Sequence, residues 1–167
     1  MSGAFVPQDQ DARRRVQEAL DENLFVEAGA GTGKTASLVD RLVVLVASGR
    51  ATLDRVAAIT FGEAAAAELR DRVREALERA TADPKRPGAE RARCTHGVAD
   101  LDRSAIQTLH SFAGSLLWER PLEAGLPPAF ETLDQISADL AFEEAWGAWL
   151  DHVLDDAGLH PALRLAL

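Results

Sequence analysis

The residues best suited to chemistry form one short glycine-rich segment: Ala28, Gly29, Ala30, Gly31, Thr32, Gly33, Lys34 and Thr35. A polyphosphate needs close approach of the backbone, so the turn that holds it requires residues without bulky side chains. Successive backbone N–H groups and the N-terminus of a following helix then face the phosphate oxygens. Lys34 would reach the β- and γ-phosphates as a point charge, and the Thr35 hydroxyl would be a ligand for Mg²⁺. The segment predicts a site for a nucleoside polyphosphate with Mg²⁺.

The charge distribution favours an anionic ligand in the same part of the chain. Lys34 is one of two lysines among 18 basic residues. Residues 1–104 are close to neutral, with 17 acidic and 16 basic side chains, whereas residues 105–167 carry 10 acidic side chains and two arginines. Any anionic ligand is therefore expected to bind the first part. The alternative, a glycine-rich turn that binds nothing, is disfavoured by the strand–turn–helix context of the segment.

A strand and a helix must flank this segment if it is to hold phosphate. The apolar run Leu24–Val26 predicts the strand, and the periodicity over 33–48 predicts the helix. Gly49 is a plausible stop for that helix. The residues expected on its buried face are Val39, Leu42, Val43 and Val46.

Further strands alternate with helices along the chain. Val56–Thr60 predicts a second strand, followed by a helix over about 64–80. The buried face expected for this helix consists of Leu69, Val73, Leu77 and Ala80. Ala105–Leu109 predicts a third strand, followed by a helix near 111–120. Between them, a break over 82–90 precedes a short helix over about 89–101. Strands that alternate with helices in this way predict an α/β fold with a parallel sheet.

A different pattern follows the prolines of residues 121–128. Residues 135–156 read as one amphipathic helix, in which Phe142, Trp146 and Trp149 share a face with Leu150 and Val153. This aromatic face either belongs to the core or packs against a partner.

Four segments together resemble the motifs of superfamily-one DNA helicases of the UvrD/RecB type. The segment Ala28–Thr35 is similar to motif I, Thr60–Leu69 to motif Ia, and Gln107–Phe112 to motif Ib. Upstream, Val6–Gln10 resembles the Q motif. The spacing and the segment Pro121–Leu126 look closest to the RecB/AddA branch of this family.

The resemblance implies a P-loop NTPase fold of the RecA-like kind, with ATP and Mg²⁺ as cofactors. It implies that Gln10 contacts the adenine edge, and that Thr60, Phe61, Thr108 and His110 lie near single-stranded DNA. Aromatic faces stack on bases regardless of sequence, and hydroxyl or imidazole groups donate to phosphate or sugar. The alternatives are that Phe61 is a core residue and that His110 is a hydrogen-bonding residue at a helix start.

The activity implied by the resemblance is that of an ATP-dependent DNA helicase or translocase in repair and recombination, usually moving 3′ to 5′. Residues 1–120 would form part of the first RecA-like domain, with a helical excursion over about 82–103. Residues 121–167 would begin a helical insertion subdomain.

Hydrolysis needs a strand-borne Asp–Glu pair in addition to a phosphate loop. The sequence offers only Val153–Asp156, at the end of the predicted amphipathic helix. The second RecA-like domain of the family is also absent, so we expect the isolated chain to bind ATP–Mg²⁺ weakly and to be inactive without the rest of a helicase or its subunits. The alternatives are a non-catalytic ATP- or DNA-binding module, and an unrelated small P-loop NTPase or kinase.

Composition limits the cellular location. The sequence has no apolar run near the roughly 20 residues of a membrane span, and its N-terminus has no apolar export signal. The single cysteine, Cys94, excludes an internal disulfide framework. These features predict a cytoplasmic protein without a membrane partner.

Overall fold

The computed structural model describes residues 9–29 and 31–155. In this part of the chain the helices and strands are α1 (Gln10–Glu18), α2 (Lys34–Ser48), β1 (Ala57–Thr60), α3 (Glu63–Ala82), α4 (Gly88–Ala99), β2 (Ala105–Thr108), α5 (Leu109–Glu119) and α6 (Gln135–Asp155). The chain divides into two units between Glu119 and Arg120. Within the described ranges no helix is both long enough and apolar enough to cross a membrane.

Strands β1 and β2 form a parallel pair, which confirms the predicted α/β class with a parallel sheet. Their register joins Ala57 to Ala105 and Thr60 to Thr108, while α3 and α4 form the connection between them. A short 3₁₀ turn precedes each strand, and both turns read Leu-Asp-Arg. The leucines of these turns, Leu53 and Leu101, are fully buried and fix the start of each strand against the core.

The core of the first unit lies between α2, α3, α4 and the two strands. The apolar faces predicted for the two longest helices of this unit are both buried: Val39, Leu42, Val43 and Val46 on α2, and Leu69, Val73, Leu77 and Ala80 on α3. Burial of each large aliphatic side chain contributes about 1.5–3 kcal/mol. This core fixes the directions of the segments that precede α2 and follow the strands.

Helix α4 packs closely against the other two helices because of one glycine. A Cβ atom on Gly97 would lie 3.0 Å from Val46 Cγ1 and 3.3 Å from Leu77 Cδ1. Next to this contact Cys94 is completely buried, and its burial raises the pKa of the thiol. Helix α2 ends as predicted at Gly49, whose φ of +76° is favourable for glycine.

The prediction of a strand at Leu24–Val26 is wrong. Residues 23–29 have no regular secondary structure, and Phe25 is 93% exposed. A strand is stabilised by hydrogen bonds to a neighbouring strand. In the described ranges the sheet consists of β1 and β2, and residues 24–26 pair with neither of them.

The second unit contains α6, where the predicted aromatic face is present. Phe142 and Trp146 stack with ring centroids 6.3 Å apart, and Trp146 and Trp149 stack at 4.8 Å. All three side chains are at least half exposed, so the interpretation of this face as core is wrong. Packing against a partner stays a prediction. Helix α6 ends at Asp155, so residues 153–155 are helical, and Asp156 lies outside the described residues.

Candidate functional site

The glycine-rich segment forms a tight turn that leads directly into α2. Gly31 has a φ of +73° and Gly33 a φ of +88°, which are conformations that favour glycine over other residues. The Thr32 hydroxyl donates a hydrogen bond of 2.8 Å to the carbonyl of Gly29 and closes the turn. Ala30 lies outside the described residues. The glycines thus permit the backbone path that the sequence pattern predicts.

Lys34 is the first residue of α2, and its ammonium group folds back over the turn. Its Nζ donates to the carbonyl of Ala28 and, at 2.7 Å, to the carbonyl of Gly29. Thr35 follows it in the exposed first turn of the helix. That first turn contains no acidic residue, so nothing there opposes the attraction of the helix N-terminus for an anion.

The helix that precedes the turn brings a residue that the sequence reasoning missed. Arg13 of α1 donates from Nη2 to the carbonyl of Thr32 at 2.5 Å and from Nε to Asp9 at 3.0 Å. This hydrogen bond from Arg13 lowers the pKa of the Asp9 carboxyl. Gln10 lies one helical turn before Arg13 and is exposed, whereas residues 6–8 of the same predicted motif lie outside the described residues. The sequence alone offered no signal for Arg13, because its loop partner lies 19 positions away.

Two open cavities lie beside Lys34. The smaller, of about 130 Å³, is lined by Arg13, Ala28, Thr32 and Lys34 together with neighbouring residues. The larger, of about 450 Å³, extends from Lys34 past Ser37 to Arg41 and the apolar side chains of residues 24 and 26. The ammonium group of Lys34 therefore borders space in which a ligand could be held.

The residues predicted to lie near single-stranded DNA are at the carboxyl ends of β1 and β2. Thr60 and Thr108 are register partners, so the residues after each strand emerge at the same edge of the sheet. Phe61 is 99% exposed and is therefore not a core residue in this structure. His110 is also exposed, at the start of α5, and the half-buried Thr60 donates to the carbonyl of Gly62 at 3.0 Å.

Thr108 differs from the other residues predicted to lie near DNA because it is only 5% exposed. Its hydroxyl accepts from the backbone N–H of Ser111 at 3.2 Å, which is a capping contact at the start of α5. The Glu63 carboxylate, at the start of α3, lies 3.1 Å from this hydroxyl and accepts from the Ser111 hydroxyl at 3.2 Å. Glu63 and Ser111 were missed from the sequence, although a threonine directly before a helix, as Thr108 is before α5, is a preferred capping residue.

The chain matches the family described as "UvrD/REP helicase N-terminal domain" over residues 9–160. Relatives include bacterial proteins that are each named as one subunit of an "ATP-dependent helicase/nuclease". The chain is 36% identical over 126 residues to that of Limosilactobacillus reuteri subsp. reuteri (strain JCM 1112), which covers 75% of this chain and 9% of the relative.

Two further relatives with the same name match this chain at similar identity and coverage. Identity is 40% over 126 residues with Desulforudis audaxviator (strain MP104C), covering 74% of this chain and 10% of the relative. The chain is 39% identical over 136 residues to the protein of Geobacillus kaustophilus (strain HTA426), and this match covers 80% of this chain and 11% of the relative. The chain spans about a tenth of the length of these curated relatives. With a family match over most of its length, and in agreement with the resemblance of its motifs, the chain belongs to the UvrD/REP helicase N-terminal domain family.

Proposed function

We propose that the chain is the ATP-binding N-terminal part of an ATP-dependent DNA helicase or translocase that acts in repair and recombination. The observation that carries this proposal is Lys34 at the start of α2, directly after a turn built on glycines with positive φ. This is the arrangement that polyphosphate binding requires. The names of the relatives, which describe ATP-dependent helicases, support the choice of ATP.

We further propose that residues 1–120 belong to a RecA-like P-loop domain and that residues 121–167 begin a helical insertion. The parallel pairing of β1 with β2 supports the first assignment, because P-loop domains are built on parallel sheets with flanking helices. The division of the chain between Glu119 and Arg120 supports the boundary. The helix α4 would then form the excursion within residues 82–103.

The residues of the turn fit an ATP–Mg²⁺ complex. Gly31 and Gly33 have no side chains that would keep a phosphate away from the backbone. The first turn of α2 adds N–H groups that have no partner within the helix. The oxygen of the Thr35 hydroxyl is of the kind that Mg²⁺ prefers, and Thr35 would hold the ion. When bound, Mg²⁺ neutralises charge on the phosphates. Gln10, exposed at the start of α1, would contact the adenine.

Lys34 would change partners when polyphosphate binds. Its ammonium group bonds the carbonyls of Ala28 and Gly29, which carry partial negative charge. Phosphate oxygens carry full charge and form stronger, charge-assisted hydrogen bonds with ammonium groups. Lys34 would therefore exchange these carbonyls for phosphate oxygens and, during transfer, neutralise the charge that develops on the terminal phosphate.

Single-stranded DNA would bind at the carboxyl ends of β1 and β2. Phe61 offers an almost fully exposed aromatic face on which a base can stack. His110 would donate to phosphate or sugar, and Thr60 would do so by giving up its hydrogen bond to the Gly62 carbonyl. Thr108, which is buried, would act by holding the start of α5 in place.

Turnover would require residues beyond these 167. In the described ranges neither β1 nor β2 ends in the Asp–Glu pair that holds Mg²⁺ and orients the attacking water. The match covers about a tenth of these relatives, which are named as subunits, so the remainder of a helicase or a partner protein is the proposed source. In that assembly, ATP binding and hydrolysis would move the protein along one strand, 3′ to 5′.

Steady-state ATP hydrolysis and single-stranded DNA binding by the 167-residue chain test this proposal. We expect measurable binding of an oligonucleotide and negligible turnover with or without it. Robust turnover that disappears in Lys34→Ala would contradict the need for further residues. Turnover of another phosphate acceptor, with no oligonucleotide binding, would favour a small P-loop kinase instead.

A further inference from the structure

Arg13 is held against the glycine-rich turn far more tightly than its neighbours in α1. Its side chain is 27% exposed, whereas those of Arg14 and Arg15 are 62% and 68% exposed. Its Nη2 donates to the carbonyl of Thr32 at 2.5 Å, and its Nε donates to Asp9 at 3.0 Å. The guanidinium thus joins α1 to the turn through one directed hydrogen bond, while its Nε bonds Asp9 at the start of the same helix.

The same guanidinium also lies beside the next residue of the turn. A Cβ atom on Gly33 would lie 3.1 Å from Arg13 Nη1, so the space next to Gly33 is filled by this group. Since the C=O and N–H of a trans peptide point to opposite sides, holding the Thr32 carbonyl towards α1 turns the Gly33 N–H to the other side. Arg13 therefore controls the direction of one backbone donor of the turn.

We propose that Arg13 is a positioning residue for nucleotide binding, which orients the Thr32–Gly33 peptide so that the Gly33 N–H donates to a polyphosphate. This inference rests on the proposed function of the turn. Arg13 acts here through the backbone, because its Nη2 bonds the Thr32 carbonyl and its Nη1 lies against Gly33. Lys34 remains the cation that meets the phosphates.

Helix α1, which carries Arg13, is also hydrogen-bonded to α2. Arg41 of α2 donates from Nη1 to the carbonyls of Val16 at 2.6 Å and Ala19 at 3.0 Å, at the end of α1. Gln17 also donates to the Asp40 carboxylate at 3.0 Å. These contacts hold the end of α1 against α2 without Arg13, so α1 should keep its place when Arg13 is changed and the effect of the change should fall on the turn.

The test compares Arg13→Gln with Arg14→Gln in the 167-residue chain. Arg14 is a matched control, since it lies in the same helix and pairs with Asp11 within that helix at 2.5 Å. We expect Arg13→Gln to weaken binding of a fluorescent ATP analogue with Mg²⁺ by about tenfold, the scale of a lost charge-assisted hydrogen bond. Arg14→Gln should bind within about twofold of the unchanged chain.

A spectroscopic measurement separates positioning from a general loss of stability. In ¹⁵N–¹H correlation spectra without nucleotide, Arg13→Gln should shift the Gly33 amide while core amides such as that of Val73 stay in place. Arg13→Lys, which keeps a donor for the Thr32 carbonyl, should restore part of the affinity. If Arg13→Gln does not fold, Asp9→Asn serves instead, with a smaller loss in the same direction expected because it loosens the guanidinium.

Two different failures can be told apart. If the unchanged chain binds no ATP analogue, or if Lys34→Ala binds as well as it does, the proposed function fails and the inference falls with it. If Lys34→Ala loses binding but Arg13→Gln matches Arg14→Gln in affinity and leaves the Gly33 amide unshifted, the inference alone is overturned.

Discussion

The Glu63 carboxylate and the Thr108 hydroxyl lie 3.1 Å apart and join the start of α3 to the end of β2. This contact connects two segments that are 45 residues apart in the sequence and that follow neighbouring strands. Since each segment resembles a separate helicase motif, the contact means that neither can move at this edge of the sheet without affecting the other. The two segments that carry the proposed DNA interface are thus linked by a hydrogen bond at this edge of the sheet.

Thr108→Val should destabilise the fold by about 1–2 kcal/mol, because it leaves Glu63 and the Ser111 N–H without a buried hydroxyl partner. Urea denaturation at pH 7 measures this change. Thr95→Val is the matched control, since the exposed Thr95 hydroxyl bonds only within α4, to the carbonyl of Arg91. Thr95→Val should change the free energy of unfolding by no more than about 0.5 kcal/mol. Equal effects of the two substitutions would show that Thr108 has no special role.

Phe61→Ala should weaken binding of single-stranded DNA by roughly 5- to 150-fold, which corresponds to about 1–3 kcal/mol for one stacked base. Because Phe61 is 99% exposed, its loss should leave stability nearly unchanged. Phe25→Ala is a close control, since Phe25 is also a phenylalanine and is 93% exposed. Fluorescence anisotropy of a labelled oligonucleotide measures both variants. An unchanged affinity for Phe61→Ala would remove the stacking role.

Gly97→Ala should destabilise the fold by about 1–3 kcal/mol, because the new methyl group would overpack the contact with Val46 and Leu77. Gly114→Ala in α5 should instead stabilise by about 0.5–1 kcal/mol, through the conformational entropy of glycine in a helix. In the described part of the chain, a Cβ at Gly114 would meet no atom within 4 Å apart from its chain neighbours and the backbone of α5. Thermal or urea unfolding distinguishes the two. A neutral Gly97→Ala would show that α4 can move away from α2 and α3.

The sequence predicted the helices of the first unit where apolar periodicity was strong. The stripes on α2 and α3 are buried as expected, and the two strands that flank α3 and α4 pair in parallel. Periodicity succeeds here because it reports which face of a helix meets the core. It carries less information for α1, a short helix without a buried residue, which the sequence reasoning did not predict.

The errors have a common physical cause, since each depends on a distant neighbour. Leu24–Val26 has the composition of a strand, but a strand also needs a partner that composition does not reveal. Arg13 reads as one of three successive arginines on an exposed helix, and only the folded chain distinguishes it from Arg14 and Arg15. Thr108 was correctly placed at the end of a strand, yet its burial depends on Glu63 from another segment.

The most direct test of nucleotide binding at this turn is the titration of a fluorescent ATP analogue, with Mg²⁺, into three forms of the chain. Lys85 is the matched control for Lys34, since it is the second lysine of the sequence and is exposed in the turn between α3 and α4. We predict saturable binding to the unchanged chain and to Lys85→Ala, and at least about tenfold weaker binding to Lys34→Ala, as expected for loss of a charge-assisted contact with phosphate. Equal affinities for Lys34→Ala and Lys85→Ala would contradict the claim that this turn holds the nucleotide.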